Sequence, residues 1–245
     1  MSRDLNQYSK AYAAQPFEPV MVKYRRIRTL EMLGDVSACR ILEIGCGSEP
    51  ASAWIPVYQS LTILEPAEAF FQSALVQTQG FEKVHVIHSS AENIQHLPEA
   101  PFDVILLNSL LHELQHPDIL LNALHPWCHA GTRILINVPN AWSFHRQLAV
   151  KMDLIPFPEF LSQANLTFQQ ATVFNTSSLK ALCEGCHYEV QNALTSFIKP
   201  FTHAQMQEML DKGLLSDNLL EGLYQMSSEM PDAGAEIFFL LTPAK

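Results

Sequence analysis

The residues best suited to chemistry lie in the run Ile41-Leu42-Glu43-Ile44-Gly45-Cys46-Gly47-Ser48-Glu49-Pro50. A short apolar stretch ends in an acid and then in two glycines flanking Cys46. Bare backbone at such a turn lets a ligand approach closely. A second acid, Glu65, closes the next apolar run, with Pro66 after it. A carboxylate at a strand end can accept two hydrogen bonds from a ribose diol, and its charge strengthens them. Glu43 would act through the glycine turn on a ligand amine, or brace the loop. The pattern therefore points to a ligand with an amine and a ribose. A dinucleotide site wants a third glycine for pyrophosphate approach and close helix packing. Here Glu49 and Pro50 occupy that stretch, and they make a poor anion cradle.

Further polar residues follow later apolar runs. Ser90-Ala91-Glu92 follows the third and Asn108-Ser109 the fourth. For a proton acceptor the candidates are His112, with Glu113 beside it, and then His145, which follows Asn137 and Asn140. Either histidine could instead only pack or cap a helix start. Tyr12 and Arg25 could close over the ligand, the guanidinium meeting a ligand carboxylate. Phe197-Ile198-Lys199-Pro200-Phe201-Thr202-His203 brings a cation, two aromatics and a histidine to a strand end, and the aromatics could wall a pocket. Two literal matches are set aside. Cys183-Glu-Gly-Cys186-His187 has the spacing of a haem attachment site but falls where a helix should end in a glycine turn. His112, His116, His125 and His129 have proline between or beside them and no acid or cysteine at structural-zinc spacing, so no metal is expected.

The elements that must position these residues alternate. A helix over Val20–Leu33, apolar at Met21, Tyr24, Ile27, Leu30 and Leu33 and stopped by Gly34, precedes the first strand. Strands are expected at Arg40–Ile44, Leu61–Leu64, Lys83–His88, Phe102–Leu107 and Arg133–Val138. Helices are expected at Ala51–Tyr58 (limited by Pro56), Glu68–Gln79 and Ile119–Cys128. Such alternation predicts an α/β fold with a parallel, doubly wound sheet. Helical segments at Ser143–Asp153 and Pro158–Ala171 interrupt it. Then come a helix over Ser177–Cys186, capped by Thr176 or Ser177, a strand within Tyr188–Ile198, helical sequence from Thr202 to Met230 broken near Gly213 and Gly222, and a last strand at Glu236–Leu241.

The 245 residues are 48% hydrophobic and 16% charged, with a net charge of −10. This suits a globular protein with a large core and disfavours non-specific nucleic-acid binding. The one basic cluster, Lys23 to Arg28, reads as a solvated helix face. No apolar run has the length of a bilayer span, the N-terminal residues are polar, and the five cysteines are scattered. The expectation is a cytoplasmic protein with reduced thiols and no membrane association.

The segment Ile41 to Gly47 resembles the first motif of class I S-adenosylmethionine-dependent methyltransferases, whose usual pattern carries a further glycine at position 49, where this chain has Glu. The resemblance covers residues 38 to 140 and, in outline, the closing strands. It implies a Rossmann-like seven-stranded sheet with the last strand antiparallel, in one domain. An N-terminal helical segment (1–38) precedes a cofactor-binding core (39–140), and helical insertions at 143–172 and 202–230 form an acceptor cap. It also implies S-adenosylmethionine as cofactor, held by Glu43, Gly45, Cys46, Gly47, Glu65, Pro66, Ala91, Glu92, Asn108 and Ser109, with Glu65 on the ribose and the Ala91–Glu92 turn near the adenine. The expected activity is methyl transfer to an oxygen or nitrogen of a small molecule, because the tetrapeptide of amino-methylating nucleic-acid enzymes is absent after the fourth strand. Rival readings are cyclisation or aminocarboxypropyl transfer with the same cofactor, a non-catalytic binder of it, and an NAD-dependent oxidoreductase.

Overall fold

The computed structural model describes Leu5 and residues 15–244, apart from the side chain at position 164. Seven strands form one sheet: β1 (Arg40–Ile44), β2 (Ser60–Leu64), β3 (Val84–Ile87), β4 (Phe102–Asn108), β5 (Cys128–Pro139), β6 (Tyr188–Ser196) and β7 (Glu236–Pro243). Their order is β3-β2-β1-β4-β5-β7-β6. The first five pair in parallel, whereas β7 runs antiparallel between β5 and β6. The strand order reverses between β1 and β4, which is where open α/β sheets bind ligands at their carboxyl ends.

The central strands are apolar throughout because both faces are covered. Leu42, Ile44, Ile105, Leu107, Ile134 and Ile136 pack to one side with Leu121, Trp127, Leu179 and Tyr188. Ile41, Leu61, Ile63, Val104, Leu106 and Leu135 pack to the other with Leu33, Val36 and Ala74. Neighbours along each strand thus serve opposite faces, as the two-residue period of a strand requires.

The first helix, α1 (Glu18–Leu33), ends at Gly34, whose φ of 63° an L side chain seldom adopts. Helix α2 (Glu68–Gln77) returns β2 to β3, and α3 (Pro117–Ala123) lies between β4 and β5. Three sequence expectations shorten here. Ala51–Tyr58 forms only a single 3-10 turn, Ala51–Ala53, ahead of Pro56. The helix expected over Ile119–Cys128 stops at Ala123. A separate turn at His125–Trp127 carries Pro126, and Cys128 already belongs to β5. Of Pro158–Ala171 only α5 (Gln163–Thr167) is helical, after α4 (Phe144–Lys151).

Helix α6 (Thr176–Gly185) is capped by Asn175 rather than Thr176 or Ser177. The Asn175 side chain accepts from the Ser178 amide, and the Ser178 hydroxyl accepts from the Asn175 amide. The stretch 202–230 divides into α7 (His203–Asp211) and α8 (Asp217–Gln225) at Gly213, whose φ is 68°, whereas Gly222 stays inside α8. These helices pack on α1 through Phe17, Met21, Tyr24, Phe197, Met206, Leu220 and Tyr224. Tyr24 stacks on Tyr224 at 5.1 Å and meets Phe197 at 5.0 Å. Offset aromatic contacts of this kind contribute about 0.5–1.5 kcal/mol each beyond burial.

Candidate functional site

A cavity of about 380 Å³ opens at the carboxyl ends of β1, β2 and β4, with α1 along one side. Its floor is the turn after β1. Gly45 (φ 75°) and Gly47 (φ 60°) both take the left-handed conformation, and the Gly45 amide donates to the Leu64 carbonyl at 2.8 Å. A Cβ on Gly47 would meet nothing within 4 Å, so its need for glycine is conformational and the space beside it is open. Cys46 is buried in this turn. Burial, and then the charges of Glu43 and Glu65, raise its thiol far above the usual range, so it acts as a packed, protonated side chain.

The two acids are positioned as strand ends. Glu43 is 4% exposed and accepts from the Ala51 amide at 2.8 Å, which braces the loop. Burial first, and Glu65 after it, outweigh that hydrogen bond and the Arg26 charge, pushing Glu43 up to about 8. Glu65 accepts from the Ala67 amide at 2.8 Å and from the Gly47 amide at 3.3 Å. Burial raises its pKa, while these donors oppose the rise. Both acids line the cavity, as do Pro66, Ala91 and Glu92.

At the end of β4, Asn108 and Ser109 form the opposite wall. Ser109 has φ 51°, a strained conformation for a residue with a side chain. Asn137 on β5 holds it: the Ser109 amide donates to the Asn137 carbonyl and the Ser109 hydroxyl to Asn137 Oδ1, both at 2.9 Å. Asn137 in turn donates to Glu236 at 3.1 Å. In the sequence Asn137 is one polar residue near the end of an apolar strand; its positioning of Ser109 appears only when β5 lies beside β4.

Arg25 lines the cavity, but its guanidinium is engaged. It forks onto Glu236 and reaches Glu18 at 3.1 Å, with 10% of the side chain exposed. The expectation that Arg25 meets a ligand carboxylate therefore conflicts with two buried acids that already hold it. Tyr12, its expected companion, lies outside the described residues. Arg26 also lines the cavity, pairs with Glu49 at 2.6 Å and lies 5.6 Å from the Trp54 ring centroid.

Neither His112 nor His145 lines the cavity. The turn Leu111–Glu113 buries His112 at 3% exposure and brings Glu113 to the cavity instead; His112 Nε2 stands 4.0 Å from Glu113 Oε1. His145 belongs to a half-buried polar cluster with buried Lys199 and with His203, which shares Glu18 with Arg25. Burial, and then the charges of Lys199 and His203, drive its pKa well below the usual range. Lys199 donates to His203 Nδ1 at 2.8 Å, and His203 Nε2 faces Glu18 at 3.5 Å. Burial lowers Lys199 to about 8. Burial would raise Glu18, but Arg25 and His203 prevail and bring it to about 2.

Among the described residues five carboxyl side chains line the cavity, at Glu43, Glu49, Glu65, Glu92 and Glu113, against the guanidiniums of Arg25 and Arg26. This imbalance suits a cationic ligand. Two buried atoms of lining residues, Asn108 Oδ1 and Thr29 Oγ1, have no hydrogen-bond partner among the described residues, as expected of groups awaiting one. A sulfonium with an ammonium, a ribose diol and an adenine amine fits this donor and acceptor set. Among the described residues no group of three or more His, Cys, Asp or Glu could hold a metal ion. No described helix is long and apolar enough to cross a membrane.

The family described as methyltransferase domain matches residues 12–193. No curated protein sequence matches the chain. Among solved structures, the chain is similar to an S-adenosylmethionine-dependent methyltransferase of Thermotoga maritima, a possible histamine N-methyltransferase. The TM-score is 0.66 at 17% identity, over 97% of this chain and 98% of that one. It is also similar to phosphoethanolamine N-methyltransferase 2 of Haemonchus contortus in complex with S-adenosylmethionine. There the TM-score is 0.61 at 13% identity, over 90% of this chain and 52% of that one. A third similar structure is the cyclase SpnF, with TM-score 0.57 at 13% identity, over 90% of this chain and 80% of that one.

Proposed function

This chain belongs to the methyltransferase domain family, with the class I sheet and S-adenosylmethionine as cofactor, and from that premise we propose that it methylates an oxygen or nitrogen of a small molecule. The observation that carries the reading is the convergence, in one cavity at the β1/β4 reversal, of the glycine turn, Glu65, the Ala91–Glu92 turn and Asn108–Ser109. We assign the cavity floor and the β2 and β3 ends to the cofactor, and the β4 end to the acceptor side.

The bound cofactor supplies an activated methyl on a sulfonium, so the protein's task is alignment and exclusion of water. Glu43 and Glu65 bind, the glycine turn admits the ligand closely, and Asn137 fixes Ser109. Glu113 is the ionisable side chain best placed to take a proton from an acceptor, with His112 beside it. His145, with Lys199 and His203, would tune the acceptor side. The helices of 143–172 and 202–230 would cap the acceptor within one domain. Exposed Met152, Leu154 and Phe157 in the first of these segments support a surface kept for an apolar contact.

The net charge of −10 supports a small-molecule acceptor over nucleic acid. The free state of all five cysteines supports a reducing, cytoplasmic compartment. A screen of small amines, phenols, carboxylates and nucleic acids by S-adenosylhomocysteine release tests the proposal. Release with an amine or hydroxyl compound is expected, and release only with nucleic acid would overturn it. Methylthioadenosine as the product would instead point to cyclisation or aminocarboxypropyl transfer, and cofactor bound but never consumed to a non-catalytic binder.

A further inference from the structure

The glycine turn carries Glu49 where the family pattern has glycine, and the structure gives that side chain a partner. Glu49 pairs with Arg26 of α1 at 2.6 Å. Both residues line the main cavity, and both also line a smaller adjoining one of about 310 Å³ with Val22 and Ser48. The ion pair thus stands at the wall the two cavities share.

Two cations face the main cavity, and their situations differ. The Arg25 side chain is 10% exposed and held by Glu18 and Glu236, themselves 11% and 8% exposed. Stripping it from two buried carboxylates would leave those charges uncompensated. Arg26 is 23% exposed, and its partner Glu49 is 46% exposed. Glu49 can return to water when released, and exposed pairs of this kind hold only weakly. Trp54 lies against the Arg26 guanidinium and keeps it at the cavity after the carboxylate leaves.

We infer that Arg26 is the cation that receives the carboxylate of the cofactor's amino-acid tail, and that Glu49 holds Arg26 in place until the ligand carboxylate displaces it. The inference rests on the cofactor reading above. A ligand carboxylate entering a cavity lined by acids must find a cation, and of the two guanidiniums that line it among the described residues Arg26 is the one that can change partners without stranding a buried charge. Glu49 therefore acts as a competitor that lowers affinity for ligands with a carboxylate, whereas a ligand without one leaves the pair in place.

The test compares binding of S-adenosylmethionine with binding of its decarboxylated form, which keeps the ammonium and the adenosine but lacks the carboxylate, by calorimetry on the full chain. The wild type should prefer S-adenosylmethionine. Arg26→Ala should weaken S-adenosylmethionine about tenfold to a hundredfold, the range of a charge-assisted hydrogen bond. It should change the decarboxylated ligand by less than about twofold, a difference below 0.5 kcal/mol. Glu49→Gln, which frees Arg26, should tighten S-adenosylmethionine and enlarge the preference; it also decides the matter if Arg26→Ala does not fold. An unchanged preference in either variant, or equal weakening of both ligands in Arg26→Ala, overturns the inference alone. A wild type that binds neither ligand overturns the cofactor reading and this inference with it.

Discussion

Glu43 should lose a proton when the cofactor binds. It is 4% exposed, and burial pushes it up from 4.5 to about 8. At pH 7 a group with that value is about nine-tenths protonated. A sulfonium and an ammonium in the same cavity favour the ionised form, and a drop below pH 6 would release about 0.9 proton per ligand. Calorimetric titration of S-adenosylmethionine at pH 7, in buffers of low and high ionisation heat, reads this number directly. Glu43→Gln should remove most of the buffer dependence. The same group sets a stability slope. Its proton is held more tightly folded than unfolded, so its stabilisation is complete below pH 4.5 and is lost as pH rises through about 8. At about 1.36 kcal/mol per pH unit the loss is on the order of a few kcal/mol across that window. Urea unfolding of wild type and Glu43→Gln across this range should show the wild type falling relative to the variant. Equal heats in both buffers, or the same proton release from Glu43→Gln, would refute the reasoning.

Glu65→Gln keeps the shape of the β2 end but loses the charge, so S-adenosylhomocysteine should bind about tenfold to a hundredfold more weakly; a change under twofold, by calorimetry, would remove Glu65 from the ligand. Arg25→Met strands Glu18 and Glu236 and should cost about 3–5 kcal/mol in urea unfolding; a loss below about 1 kcal/mol would mean that the pair contributes little. Gly234→Ala places a Cβ 2.5 Å from the Ser196 amide nitrogen and from Thr195 Oγ1. It should therefore destabilise by about 1–3 kcal/mol, and an unchanged thermal midpoint would contradict the packing at the β6–β7 end.

The sheet was legible because its central strands are buried on both faces and read as unbroken apolar runs between glycine and proline stops. Arg40–Ile44 is the clearest case, with the same bounds in sequence and structure. The cavity lining was legible for a related reason: Glu43, Glu65 and Ser109 sit within a residue of strand ends, Glu92 lies in the turn that follows β3, and the parallel topology brings those ends together. What was not legible depends on which neighbour a side chain meets across the fold. Arg25 and Arg26 are adjacent in sequence, and only the fold sets one beside buried Glu236 at the start of β7 and the other beside exposed Glu49 of the glycine turn. His112 and Glu113 differ in the same way, since a 3-10 turn buries one and turns the next to the cavity. The shortened helices ahead of Pro56 and Pro126 show local proline chemistry overriding apolar spacing.

The central claim is methyl transfer from the cavity at the β1/β4 reversal, and mass analysis of one reaction tests it most directly. The full chain is incubated with S-adenosylmethionine bearing a deuterated methyl and with the acceptor that the screen identifies. The account predicts S-adenosylhomocysteine and an acceptor carrying the deuterium label, both lost in Glu65→Ala. Methylthioadenosine as the nucleoside product, or an unlabelled converted acceptor with the cofactor recovered intact, would contradict it.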